Sequence, residues 1–132
     1  MAEITDNSGI GRLIVQASTA SGALPIVNAK VTVEETDGRV IEVLMTDNSG
    51  RTRAVELPAP DAEYSQTPGD VVPYKVYNVR VEKQVFYTEE LRNVAVFDGI
   101  NSIQPVALEP LGENSTEDDK INIINETAPM QV

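Results

Sequence analysis

Apolar residues recur at every second position along almost the whole chain, and that spacing restricts it to strands, because successive strand side chains point to opposite faces. In residues 12–17, Leu13, Val15 and Ala17 alternate with Arg12, Ile14 and Gln16. In 29–35, Val31 and Val33 alternate with Lys30, Thr32 and Glu34. In 40–46, Ile41, Val43 and Met45 share a face, which makes it the one expected to be buried. Val55 and Leu57 share a face with the base of Arg53, and Tyr77, Val79 and Val81 alternate with Asn78, Arg80 and Glu82. Val94 and Val96 continue the pattern, and residues 103–108 close it. No stretch carries the helical spacing i, i+3, i+4, i+7. The expectation is an all-β chain of about seven strands, each with one buried face: a Greek-key β-sandwich.

Turn residues divide the same runs. Asp37-Gly38 predicts a two-residue hairpin, since Gly accepts positive φ. Asp47-Asn48-Ser49-Gly50 predicts a slightly longer hairpin loop, and Asp98-Gly99 a further hairpin before Ile103. Residues 18–28 and 58–73 are longer; the second holds four prolines and one glycine. Such connections let a strand cross to the opposite sheet. Pro105 offers no N–H, which places its strand at an edge or a bulge. The pentapeptide Thr-Asp-Asn-Ser-Gly occurs at residues 5–9 and again at 46–50 without repeating flanks, as turn chemistry selecting the same residues twice.

The ends differ from the middle. Residues 112–132 carry five carboxylates against Lys120 alone, so they read as a flexible acidic tail. Within them Ile121, Ile123 and Ile124 are the residues that could dock as an added strand, on this chain or on a neighbour. Residues 1–9 read as loose, which leaves 10–111 as the sandwich domain. Asn114-Ser115-Thr116 and Asn125-Glu126-Thr127 match the glycosylation acceptor pattern by chance in a polar tail.

Composition narrows the chemistry. The chain has no Cys, His or Trp. That excludes disulfides, thiolate zinc sites, and Ser–His or Cys–His catalysis. With 10 basic and 21 acidic residues it has a formal charge of −11. Nucleic acid and anionic membranes would repel it. The start, MAEITDNSGIGRLIVQ, lacks the basic and apolar regions of a secretory signal, and no apolar run reaches the length of a membrane span. Membrane insertion is not expected, and the cytoplasm or forespore is the default location. Asp61 with Glu63, Glu89 with Glu90, and Glu117 with Asp118 and Asp119 could attract Ca²⁺, but none forms a spaced ligand loop. They read as solvated surface, so no metal, cofactor or catalytic residue is expected.

Several motifs in order resemble a known family. They are Gly11-Arg12-Leu13-Ile14-Val15, Leu24-Pro25-Ile26-Val27-Asn28-Ala29-Lys30-Val31-Thr32-Val33, Thr46-Asp47-Asn48-Ser49-Gly50-Arg51, Tyr77-Asn78-Val79-Arg80-Val81 and Val94-Ala95-Val96. Together they resemble the carboxypeptidase regulatory-like, or transthyretin-like (prealbumin-like), domains over residues 10–110. Residues 77–83, 87–90 and 96–106 look like the sandwich module of clostridial spore cortex-lytic enzymes and related peptidoglycan-associated proteins. That module usually places Gly before the aromatic of its turn, whereas here the turn reads Gln84-Val85-Phe86-Tyr87. The resemblance brings no lytic domain with it. Hydroxyisourate hydrolases of the same fold need histidines and a C-terminal Tyr-Arg-Gly-Ser, which this chain lacks.

The candidate recognition element is the loop of residues 58–73, because long loops on a rigid scaffold often bind. Its candidate contact residues are Asp61, Glu63, Tyr64, Asp70 and Tyr74. The expected function is a non-catalytic accessory or binding module with a protein or cell-wall partner, alongside bacterial cell-wall or spore peptidoglycan enzymes. The alternative is an assembly subunit of a spore coat, surface layer or virion that pairs through edge strands.

Overall fold

A computed structural model describes residues 9–19, 24–61 and 73–111, and the backbone of 121–125. Its strands are β1 (Gly9–Thr19), β2 (Lys30–Glu34), β3 (Val40–Met45), β4 (Val55–Ala59), β5 (Lys75–Glu82), β6 (Thr88–Val96), β7 (Asn101–Leu108) and β8 (Ile121–Asn125). There is no helix among the described residues, so none crosses a membrane. One sheet has the order β4-β1-β7 and the other β3-β2-β5-β6-β8. β1 runs antiparallel to β4 and parallel to β7, while β6 runs parallel to β8. The fold is the expected β-sandwich.

The alternation becomes the core. Leu13, Val15, Ala17, Val31, Val33, Val55, Leu57, Tyr77, Val79, Val81, Leu91, Val94, Val96, Val106 and Leu108 fill the space between the sheets. Burying each large side chain of this kind contributes about 1.5–3 kcal/mol. β3 departs from its expected face. Leu44, opposite Val31, enters the core, and a register shift beside Val33 and Glu34 separates Ile41 from the face of Val43 and Met45. Val43 and Met45 are 52% and 54% exposed, and Ile41 is half-buried at the bulge.

Both long connections cross between sheets, as expected, joining β1 to β2 and β4 to β5. Two turns read as hairpins do so as well. The Asp47-Gly50 turn carries the chain from β3 to β4, and Asp98-Gly99 carries it from β6 to β7. Their turn chemistry is local and does not specify which sheet receives the next strand. Asp37-Gly38 does close a hairpin, but with a three-residue loop. Gly38 N–H donates to Glu35 O, and Glu35 N–H donates to Arg39 O. Gly38, at φ 92°, then supplies the left-handed residue that such loops need. The Asp47 loop repeats this arrangement with Gly50 at φ 77°.

β7, with Pro105, lies at a sheet edge as expected. Gly9 opens β1 and is not part of a loose N-terminus; residues 1–8 lie outside the described residues. Residues 112–120 and 126–132 also lie outside them, while the backbone of Ile121–Asn125 pairs with Thr88 to Arg92 at the edge of the larger sheet.

Two buried hydroxyls fix the crossings. Thr46 Oγ1 donates to Ile26 O at 2.6 Å and accepts from Ala29 N–H at 2.9 Å. The phenol of Tyr77 on β5 donates to Pro58 O on β4 at 2.5 Å, tying one sheet to the other. Burial, and then the charge of Glu35, raise the Tyr77 pKa above its ordinary range. Both favour the protonated phenol, the form that makes this bond.

Candidate functional site

The exposed face of the five-stranded sheet carries a polar cleft of about 520 Å³. Glu34 of β2, Asn78 and Arg80 of β5, and Glu90 and Arg92 of β6 line its floor. Thr36, Asp37 and Gly38 of the β2–β3 loop form one wall, with Asn93 on the β6 side. These side chains face outward because their neighbours Val33, Val79, Val81 and Leu91 occupy the core side of the same strands.

A bulge shapes the cleft. The β5–β6 register shifts between Tyr77 and Val79, and Asn93 takes φ 63°, a conformation Asn tolerates better than most residues. Asn93 N–H donates to Asn78 Oδ1 at 3.2 Å, which fixes one amide of the floor. Bulges re-aim side chains in this way at many functional sites.

Glu90 is the electrostatic centre. Its carboxylate lies 3.7 Å from Arg80 and 3.5 Å from Arg92, and only 13% of the side chain is exposed. Contacts of this length hold the two guanidinium groups in place while leaving N–H capacity unused. Among the described residues Arg80 Nε is buried and has no hydrogen-bond partner. A buried donor without a partner costs about 1–3 kcal/mol. The cleft therefore offers guanidinium and amide donors for carboxylate or carbonyl oxygens, and carboxylates for hydroxyl or amide groups.

The sequence pointed elsewhere. Of the five loop candidates, Glu63, Tyr64 and Asp70 lie outside the described residues. Asp61 is half-buried just beyond β4. Tyr74 packs its ring against Phe97, with centroids 5.6 Å apart and planes at 49°, which gives it a packing role. The Glu89-Glu90 pair is not a solvated surface: Glu89 is 3% exposed and Glu90 is ion-paired. Among the described residues no acidic cluster could hold a metal. The alternating charges Arg80, Glu90 and Arg92 were visible in the sequence; the register that joins them was not.

No family model and no curated protein matches the chain. Solved structures do. The minor pilin of Streptococcus agalactiae aligns over 82% of this chain with a TM-score of 0.54 and 11% identity. A 3-chlorocatechol 1,2-dioxygenase from Rhodococcus opacus aligns over 81% with a TM-score of 0.51 and 11% identity. The chain spans 48% of the pilin and 62% of the dioxygenase. A pilin and an oxygenase share little besides architecture, so these likenesses establish the fold and nothing about function.

Proposed function

We propose that this chain is a non-catalytic β-sandwich binding module whose polar cleft receives a ligand rich in carboxylate and amide groups, of the kind carried by peptidoglycan stem peptides. The observation that carries this reading is the Arg80–Glu90–Arg92 cluster, held on the cleft floor with guanidinium N–H groups to spare. A rigid sheet face positions these groups at little ordering cost, which favours recognition. The absence of His and Cys supports a role without turnover. Titration of ¹⁵N-labelled protein with soluble muropeptides tests the reading. Shifts should concentrate at Asn78, Arg80 and Asn93, Arg80→Met should remove them, and the muropeptides should be recovered unchanged. Absence of shifts at millimolar ligand, or hydrolysis of the ligand, would overturn it.

The second reading is an assembly subunit that pairs through strand edges. The open, apolar edge at β3 favours it.

A further inference from the structure

Strand β3 ends the five-stranded sheet, with β2 on one side and, among the described residues, no strand on the other. Its open edge is chemically unlike those of the smaller sheet. There β4 carries Pro58 and β7 carries Pro105, residues that cannot donate to a new ladder. β3 reads Val-Ile-Glu-Val-Leu-Met, without Pro or Gly, and its one charge, Glu42, is paired with Arg53. Val40, Val43 and Met45 are each more than half exposed along it. Exposed edges of this kind template further strands.

The backbone decides which groups are available. Thr46 donates its N–H to Ala29 O and accepts from Asn28 N–H, so both its main-chain groups point toward β2. Backbone direction alternates along a strand, so Val43 and Met45 present theirs to the open side.

We propose that two copies of this chain pair antiparallel through β3, with the two-fold axis at Val43, making one sheet continuous across both molecules. This deepens the assembly reading and is independent of the cleft. The register follows from parity and charge. Residues facing each other across an antiparallel pair must lie on the same face, so a two-fold axis passes through a residue position. An axis at Glu42 sets carboxylate against carboxylate, and one at Leu44 sets Asp47 beside Ile41. An axis at Val43 sets Val43 against itself and Glu42 against Leu44, short of the bulge at Ile41, and it brings the Arg39 end of each copy toward Asp47 of the other. Residues 39–53 hold three arginines against two carboxylates, in a chain whose net charge is −11. Two copies therefore meet at this edge without the repulsion that the overall charge implies.

Sedimentation velocity of the full chain, from micromolar to near-millimolar concentration, tests this. The wild type should show a concentration-dependent dimer. Val43→Lys and Val43→Glu, changes at a half-exposed position, should each keep the melting temperature and weaken dimerisation about five- to tenfold, because like charges then face each other. An equimolar mixture of the two variants should dimerise again, which a merely damaged strand would not do. If Val43→Lys fails to fold, Met45→Lys on the same exposed face should give the same loss. A wild type that stays monomeric throughout overturns both the pairing and the assembly reading. A dimer that resists both substitutions overturns the pairing and leaves assembly to another edge. Failure of the mixture to recover overturns the axis at Val43.

Discussion

Replacing Val85 by Gly should make the protein more stable. Val85 is a β-branched residue at φ 64°, in the left-handed region where a Cβ crowds the following carbonyl. It occupies the third position of the turn Lys83 to Phe86, closed by Phe86 N–H donating to Lys83 O at 3.1 Å. Turns with positive φ at this position are built for Gly or Asn. The residue stays there because both ends are held: Leu111 N–H donates to Val85 O at 2.9 Å, and Tyr87 N–H donates to Glu109 O at 2.8 Å. Relief of the left-handed strain contributes about 1–2 kcal/mol. Greater freedom of Gly in the unfolded chain offsets about 0.5–1 kcal/mol of that. The side chain is 71% exposed, so little burial is lost. The net expectation is a gain of about 0.5–1 kcal/mol, or a few degrees in Tm for a domain of this size. Val85→Asn separates the two contributions, since Asn tolerates the conformation without the entropy of Gly. Urea unfolding followed by far-UV circular dichroism measures the midpoint and slope. A rise in midpoint at unchanged slope supports the account. An unchanged or lowered midpoint for both variants would refute it and show that the turn carries no strain for Gly or Asn to relieve.

Two other substitutions test the ties between the sheets. Tyr77→Phe leaves Pro58 O without its donor and should cost about 1–3 kcal/mol in urea unfolding. Because folding raises the Tyr77 pKa, the folded state holds its proton more tightly than the unfolded chain. Wild-type stability should therefore be full below about pH 10 and fall as pH rises beyond it. Tyr77→Phe should flatten that alkaline slope in Tm measurements; an equally steep slope in the variant would remove Tyr77 as its source. Thr46→Val keeps the shape of a buried residue but leaves Ala29 N–H and Ile26 O without this partner, and should lower stability by about 1–3 kcal/mol. A loss below about 0.5 kcal/mol would mean that other groups or water take over.

The inward face of most strands was legible because a period of two needs no knowledge of partners. Leu13, Val15, Val31, Val33, Tyr77, Val79 and Val81 are buried as that period requires. β3 was not legible, because its pairing with β2, with Leu44 opposite Val31 and Val43 opposite Thr32, decides which parity faces the core. A one-residue slip exchanges the two faces, and nothing local in Val-Ile-Glu-Val-Leu-Met marks it. Turn chemistry was legible at Asp37, Asp47 and Asp98, while the sheet receiving the next strand depends on long-range packing. Thr46 looked like the first residue of a turn motif; its hydroxyl in fact bridges two backbone groups of the crossing between β1 and β2.

The cleft was illegible for a related reason. Arg80 and Glu90 are ten positions apart in the sequence and directly opposite in the β5–β6 ladder, a pairing that depends on where the bulge falls. Moving that bulge by one residue would turn Arg80 toward Leu91 or place Glu90 against a core valine, at a cost no surface ion pair could offset. The apolar residues on the inner face therefore set the polar arrangement on the outer one. Val79 opposite Leu91 on one side of the bulge and Tyr77 opposite Val94 on the other hold the register, and Glu90 is brought between two arginines as a consequence. By the same logic the pairing of Leu44 with Val31 turns Val43 and Met45 away from the core and leaves them exposed. Inner-face packing in the two ladders thus sets the outer surface at β3 as well as at the cleft.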